Sequence, residues 1–439
     1  MDWFYDLRLV DGPVAVACWT LGVAGTVFLV GLVLLRRPIA RGAFLLVAGA
    51  ALAVTVTLTV HWLLVDILNV FPEDLPGDVL FSSAFGVLGV VLAVVGIVRL
   101  GLTRRVWGRR AVAVVSALTV ALLSVQQINA YFGLNLTVAD LAGVAVNRIQ
   151  ALVPTLERAG TPSVPIASWK APDGLPDNGE LRKAHLPNTA SGFSARDAYI
   201  YLPPAYFATT RPELPVLLLM AGQPGNPSDW LGGGQLRITL DRFAAKHGGV
   251  APIAVVVDPL GAPGNNTLCM DTKLGKAETY LTQDVVPWIK AHLTVAMDPR
   301  EWSAGGFSFG GTCAVQLLAK HPEIFGSALG FAAEKEPALA KDRRKTIDGA
   351  FGGDTAAFEE QIPAHFFALG GQEGQFLFLA AGTRDTDFMT QADIIAGQAR
   401  GGGVEVHEEF VPGEAHSWEM IAKAIPVGLD LLASRWSLP

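Results

Sequence analysis

At 439 residues the chain is too long for a single small domain. With 51% hydrophobic and 17% charged residues, and a mean hydropathy of +0.39, it is too apolar to live wholly in water. A formal net charge of −7 excludes a broad phosphate-binding surface, so nucleic acid is not expected as a partner, and three cysteines without zinc-finger spacing leave no metal site.

Residues 1–135 read as an all-α transmembrane domain. Four apolar segments, roughly Val14–Leu35, Ala43–Val65, Val79–Leu100 and Ala111–Tyr131, each approach the ~20 residues a helix needs to cross a bilayer. Four such stretches in succession outweigh the alternative of buried helices in a soluble core. No basic leader or small-residue cleavage site accompanies the first segment, so it is expected to stay as an anchor. The first connection carries Arg36, Arg37 and Arg41, and the third carries Arg104, Arg105, Arg109 and Arg110. The middle connection, DILNVFPEDLPGD, has four acids and no base. By the positive-inside rule the N-terminus and everything after Tyr131 lie outside a bacterial-type plasma membrane. His61, beside Trp62 near the predicted outer face, reads as an interfacial residue rather than part of an ion path.

Residues 136–178 form a connector. Thr137 to Gly160 has amphipathic helical spacing, which suits either a helix on the membrane surface or one packed on the next domain. TPSVPIASWKAPDGLPDNG follows as a Pro/Gly-rich linker or extended arm.

From residue 179 to 439 short apolar runs alternate with helical spacing. ELRKAHLP and ARDAYIYLPP read as paired strands, followed by LPVLLLMAG, APIAVVVDPLG, EWSAGGFS, GSALGFAA, QFLFLAAG and VEVHEEFVPG, with helices between. This pattern indicates an α/β fold, a mostly parallel sheet covered on both faces. Functional residues are then expected just past strand carboxyl ends.

Gly306-Phe307-Ser308-Phe309-Gly310 fits G-x-S-x-G between a strand and a helix. Such a turn strains the serine backbone and needs small neighbours, which makes Ser308 the candidate nucleophile. The base must be a histidine. His416, directly after the last strand in VPGEAHSWEM, is preferred over His407, which lies inside that strand. The acid that orients it is expected between them: Asp385 in LAAGTRDTDF first, with Asp387 and Glu373 behind it. The order Ser, Asp, His is that of α/β hydrolases. The N–H groups of Phe309 and Gln223 are the candidate oxyanion donors.

AGQPGNPSDW, GFSFGG, HPEIFGSALG, GTRD and GEAHSW occur in the order that resembles the esterase-D-like branch of the α/β hydrolases, from about Leu181 to the C-terminus. That branch includes carbohydrate esterases and envelope mycolyltransferases. The resemblance implies an α/β-hydrolase fold and serine ester chemistry through Ser308, Asp385 and His416, with Gln223 and Phe309 as oxyanion donors and no cofactor. Many relatives carry His-Gly where this chain has Ala221-Gly222, and the four-span anchor is not part of the shared domain. Cys269, in a loop after a strand, and Cys313, one turn into the helix after Ser308, both fall near the sheet's carboxyl edge. A disulfide between them is expected, with two separate thiols as the alternative. The expected function is a membrane-anchored, extracytoplasmic serine esterase or acyltransferase acting on an envelope acyl glycan or glycolipid. Its expected partners are the bilayer and neighbouring membrane proteins. The alternative is a non-catalytic envelope binding or scaffold protein.

Overall fold

The computed structural model describes residues 2–35, 38–100, 106–436 and 438. It divides into two compact units, Met1–Val144 and Ala145–Pro439.

The first unit is a bundle of four helices, α1 (Gly12–Leu34), α2 (Ile39–Trp62), α3 (Gly77–Leu100) and α4 (Trp107–Phe132). The four spans, with α2 prolonged by a π-helical turn at Leu63–Ile67, are long and apolar enough to cross a membrane. Large apolar side chains such as Val27, Phe44, Phe81 and Leu118 point outward, as lipid contact requires. Small residues bring the helices together. A Cβ on Gly22 or Gly89 would come within 2.6 Å of Leu123 or Val120 of α4, so backbones approach where side chains are absent. Ser124 Oγ of α4 donates to the Ser82 carbonyl of α3 at 2.6 Å, which satisfies a hydroxyl that lipid cannot. His61 Nε2 sits 3.3 Å from Asp74 Oδ1. Of the connection arginines, Arg36, Arg37, Arg104 and Arg105 lie outside the described residues, whereas Arg41, Arg109 and Arg110 are described.

The amphipathic run from Thr137 is not one helix. It breaks into single turns at Val138–Leu141 and Val144–Asn147 and then a short strand, Gln150–Ala151. Gly143, at φ 64°, ends the first turn, and Pro154 opens a 3-10 turn after the strand. The helical spacing was real, but glycine chemistry and strand pairing overrode it.

The second unit is built on nine strands: β1 (Gln150–Ala151), β2 (Glu180–Ala184), β3 (Ala198–Leu202), β4 (Val216–Met220), β5 (Ile253–Val257), β6 (Trp302–Phe307), β7 (Ser327–Phe331), β8 (Phe376–Gly382) and β9 (Glu405–Val411). Their order in the sheet is β1-β2-β3-β5-β4-β6-β7-β8-β9. All neighbours are parallel except β2–β3 and β3–β5. Strand alternation divides the core. Val216, Leu218 and Met220 of β4 pack on one face, and Leu217 and Leu219 on the other. Helices α6 (Phe309–Lys320) and α7 (Thr386–Gly401) cover the first face. Helices α5 (Leu236–Lys246) and α8 (Trp418–Arg435) cover the second. Both faces are therefore dry, which explains why the central strands β4 and β5 are wholly apolar. The α/β-hydrolase architecture follows, with four apolar helices before it.

Candidate active site

Ser308 stands between β6 and α6 with φ 54° and ψ −117°, a backbone region that non-glycine residues avoid. Its N–H donates to the Phe331 carbonyl of β7 at 2.8 Å, and its carbonyl accepts from Thr312 at 2.9 Å. These bonds hold the turn in its strained form. The flanking glycines are steric necessities. A Cβ on Gly306 would fall 2.1 Å from the Gly310 carbonyl oxygen, and one on Gly310 would fall 2.2 Å from that of Met220. The G-x-S-x-G spacing thus reflects the elbow folding back on itself and on β4. Ser308 is half-buried.

Asp385 and His416 follow the adjacent strands β8 and β9. The pairing of those strands continues past their ends. Thr383 N–H donates to Val411 O at 3.0 Å, Arg384 N–H to Glu414 O at 2.8 Å, and Gly413 N–H to Thr383 Oγ1 at 2.8 Å. This brings His416 Nδ1 to 2.9 Å from Asp385 Oδ2, with both side chains nearly buried. The imidazole packs against Phe307 at 4.7 Å and Phe388 at 4.5 Å between ring centroids. Phe307 immediately precedes Ser308 and also meets Trp418 at 5.1 Å. Asp385 and His416 are therefore brought together, with the ring of Phe307, the neighbour of Ser308, on the imidazole. The other candidates are not. Asp387 is exposed on the first turn of α7, Glu373 precedes β8 at its opposite end, and His407 stacks on Phe378 within the sheet at 5.6 Å.

The Ala221-Gly222-Gln223 loop leaves β4 beside the serine. A Cβ on Gly222 would lie 3.4 Å from Ser308 Cβ. Gln223 precedes a cis proline, Pro224. Phe309 is the first residue of α6, so its N–H is one of those a helix leaves without an internal acceptor.

Sequence reasoning missed what holds the Gln223 loop. Arg196, before β3, spans the gap between that loop and the end of β5. Its Nε and Nη2 donate to the two oxygens of Asp258 at 2.7 and 2.6 Å, while Nη1 donates to Gly225 O at 3.0 Å and Asn226 Oδ1 at 2.5 Å. Burial alone would raise the Asp258 carboxyl, but the Arg196 hydrogen bonds and charge outweigh it and hold it below the ordinary range. The one available signal was Asp258 standing at the carboxyl end of an apolar strand. Asp229 then caps the following turn by accepting the Asn226 N–H at 2.8 Å, and burial pushes its carboxyl up. Trp230 Nε1 donates to Met220 O at 3.0 Å and closes the loop from below.

Cys269 and Cys313 form a disulfide with Cα atoms 5.5 Å apart, and Cys18 is a free, buried thiol. The bridge joins the loop after β5 to the second turn of α6. Gln316 Nε2 of α6 reinforces it by donating to Leu268 O at 3.0 Å. Among the described residues no cluster of three or more metal-ligating side chains occurs.

Comparison with known proteins gives this geometry a family. Residues 194–425 match the family model described as "Putative esterase". An uncharacterized protein of Corynebacterium glutamicum is 37% identical over 262 residues, which cover 57% of this chain. The matched region spans 60% of that relative's length. Among solved structures, a ferulic acid esterase aligns at 19% identity and TM-score 0.48, over 59% of this chain and 99% of its own. The S-formylglutathione hydrolase of Agrobacterium tumefaciens aligns at 18% and 0.48, over 60% and 97%. MPT51 of Mycobacterium tuberculosis aligns at 18% and 0.46, over 58% and 98%. The family model reaches more than half of the chain, and on that match this chain belongs to the putative esterase family.

Proposed function

We propose that the chain is a membrane-anchored serine esterase or acyltransferase whose catalytic unit lies on the extracytoplasmic side. The observation that carries this reading is the His416–Asp385 bond of 2.9 Å, with the imidazole resting on Phe307 beside the strained Ser308. In this mechanism His416 Nε2 takes the Ser308 hydroxyl proton as Oγ attacks the ester carbonyl. Asp385 holds the Nδ1 proton and stabilises the imidazolium. The N–H groups of Phe309 and Gln223 receive the oxyanion. Collapse expels the alcohol, which takes its proton from His416, and leaves an acyl-Ser308 ester. Water or an acceptor hydroxyl, deprotonated by His416, then releases the acyl group and restores the serine.

The side of the membrane is argued from charge and redox chemistry. The arginine-bearing connections favour the cytoplasm, which leaves the chain after the fourth span outside. The Cys269–Cys313 disulfide supports the same side, since such bonds persist in oxidising compartments. Anchoring next to the envelope favours an acylated glycan or glycolipid as substrate.

A fluorophosphonate probe applied to the full chain tests the nucleophile. Wild type is expected to label and Ser308→Ala to stay unlabelled. Equal labelling of both would refute the assignment. Absence of both labelling and short-chain ester turnover in wild type would favour a binding or scaffold protein instead.

A further inference from the structure

The loop after β5 has two working sides. One side supports the Gln223 loop: Pro263 O accepts the Gly225 N–H at 3.0 Å, and Asn266 Nδ2 reaches Gln223 Oε1 at 3.5 Å. The other side, through Leu260 and Asn265, lines a cavity of about 410 Å³. Ser191 and Phe193 form a facing wall, and the tip of a short hairpin, Leu274 to Lys276, closes the rim. The Gln223 loop links the two regions: a Cβ on Gly222 would lie 3.4 Å from Ser308 Cβ, and Gly225 N–H donates to Pro263 O of the loop that walls the cavity.

The charge around the cavity is one-sided. No carboxylate lines it. The acids near it are already engaged. Asp284 accepts the N–H groups of Ala190 and Ser191 at 2.8 and 3.0 Å, Asp258 holds Arg196, and Asp271 is bonded by Thr279 N–H at 3.0 Å. Lys273 and Lys276 stand exposed on the hairpin, and neither forms an ion pair among the described residues. Between them Leu274 is 40% exposed, and Phe193 and Leu260 supply an apolar floor. A site with an apolar floor, hydroxyl and amide groups on its walls and unpaired ammonium groups at its rim suits an organic anion better than a neutral sugar or a cation.

We propose that this cavity is a subsite for an anionic head group, a phosphate or carboxylate, carried by the alcohol portion of the ester that Ser308 attacks. Fatty acyl chains bear no charge along their length, so the anion belongs to the alcohol side, as in a phosphorylated glycerol or sugar. Lys276 is its electrostatic contact and Asn265 a hydrogen-bonding one. This inference rests on the reading of Ser308 as the nucleophile.

The test uses two soluble esters with the same acyl group, 1-hexanoyl-glycerol and 1-hexanoyl-glycerol 3-phosphate, and the full chain in detergent. Released hexanoate is measured for wild type, Lys276→Met and Lys276→Glu. Both lysine variants change an exposed side chain, so folding is not at stake. Wild type is expected to favour the phosphorylated ester about fivefold in kcat/KM, through KM, the size of one exposed ion pair. The preference should vanish in Lys276→Met and invert in Lys276→Glu, with turnover of the neutral ester unchanged. Equal kcat/KM for the two esters in wild type, or an unchanged ratio in Lys276→Glu, would overturn the subsite. Failure of the esterase reading looks different: wild type would turn over neither ester, or Ser308→Ala would turn over both.

Discussion

Replacing Arg196 by Met separates what the Arg196–Asp258 pair does for stability from what it does for catalysis. Asp258 is completely buried, and Arg196 supplies both of its side-chain partners. Removing the guanidinium leaves a buried carboxylate without its countercharge, which costs about 3–5 kcal/mol. At ~2 °C per kcal/mol for a unit of this size, Tm should fall by roughly 6–10 °C. The same change releases Gly225 O and Asn226 Oδ1, two and three residues beyond Gln223. Under the proposed reading, in which the Gln223 N–H receives the oxyanion, its drift should lower kcat toward the ~100-fold loss seen when a donor is removed, with KM little changed. The double variant Arg196→Met/Asp258→Leu distinguishes the two effects. An apolar replacement removes the uncompensated charge but strands the Arg196 and Leu260 N–H groups that Asp258 accepts at 2.9 and 3.0 Å, so Tm should recover in part. The loop remains unheld, so kcat should not. The assay is p-nitrophenyl butyrate hydrolysis alongside thermal unfolding. If kcat recovers together with Tm, Arg196 acts on stability alone and the positioning argument fails. The pair also sets an acid limit. Its carboxyl lies below the ordinary range, so its contribution is present above the unfolded value of about 3.9 and is lost as pH falls through the lowered folded value. Arg196→Met should abolish that part of the acid profile.

Three further outcomes are expected. Asp385→Asn should lower kcat for p-nitrophenyl butyrate about 10³–10⁴-fold, while Asp387→Asn should stay within about twofold of wild type; comparable losses in both would reassign the acid. The double variant Cys269→Ala/Cys313→Ala opens a cross-link of sequence separation 44, and guanidinium unfolding should show a loss of about 2–4 kcal/mol that reductant reproduces in wild type. His321 meets Glu278 through Nε2 at 2.9 Å and Glu323 through Nδ1 at 3.1 Å; burial opposes its charge, but the two carboxylates outweigh burial and raise its pKa, so its stabilisation is full below about pH 6.5 and is lost as pH rises through the raised value. The Tm gap between wild type and His321→Gln should therefore be large near pH ~5.5 and close in mildly alkaline buffer, and a gap that widens with pH would refute the sign.

Much of this molecule is legible in its sequence because burial on both faces writes a strong signal. VLLLM and IAVVV, short apolar runs bounded by turn residues, read as central strands of a covered sheet, and each small or acidic residue just past such a run marks the carboxyl edge. Ser308, Asp385 and His416 stand out for that reason, and Asp385 and His416 lie within hydrogen-bond distance. Legibility ends where long-range contact overrides local pattern. The helical spacing from Thr137 to Gly160 gave no sign that Gln150–Ala151 would pair with Arg182–Lys183 instead. Arg196 and Asp258 lie 62 residues apart in the sequence, and nothing local marks Arg196 as a partner for a buried acid. The ring of Phe307 against His416 is equally silent, since it follows from how β6 and β9 lie in the finished sheet.

The division between backbone and side chain at this site has a functional consequence. The serine turn is held by main-chain bonds from Ser308 to Phe331 and from Thr312 to Ser308, and the Asp385 and His416 loops by main-chain bonds between Thr383–Arg384 and Val411–Glu414. A Cβ on Gly382 would collide with the Glu414 carbonyl oxygen at 2.3 Å, so that crossing of loops also depends on backbone approach. The serine, Asp385 and His416 turns, held this way, tolerate exchange of the side chains around them, whereas the Gln223 loop depends on the Arg196 side chain. The rim is the opposite case: Asn265, Leu274 and Lys276 are exposed and carry little of the fold. Under the proposed reading, substitutions there should shift which ester is chosen while leaving the rate on small neutral esters alone. Substitutions at Gly306, Gly310 or Gly382 should abolish turnover of every ester alike.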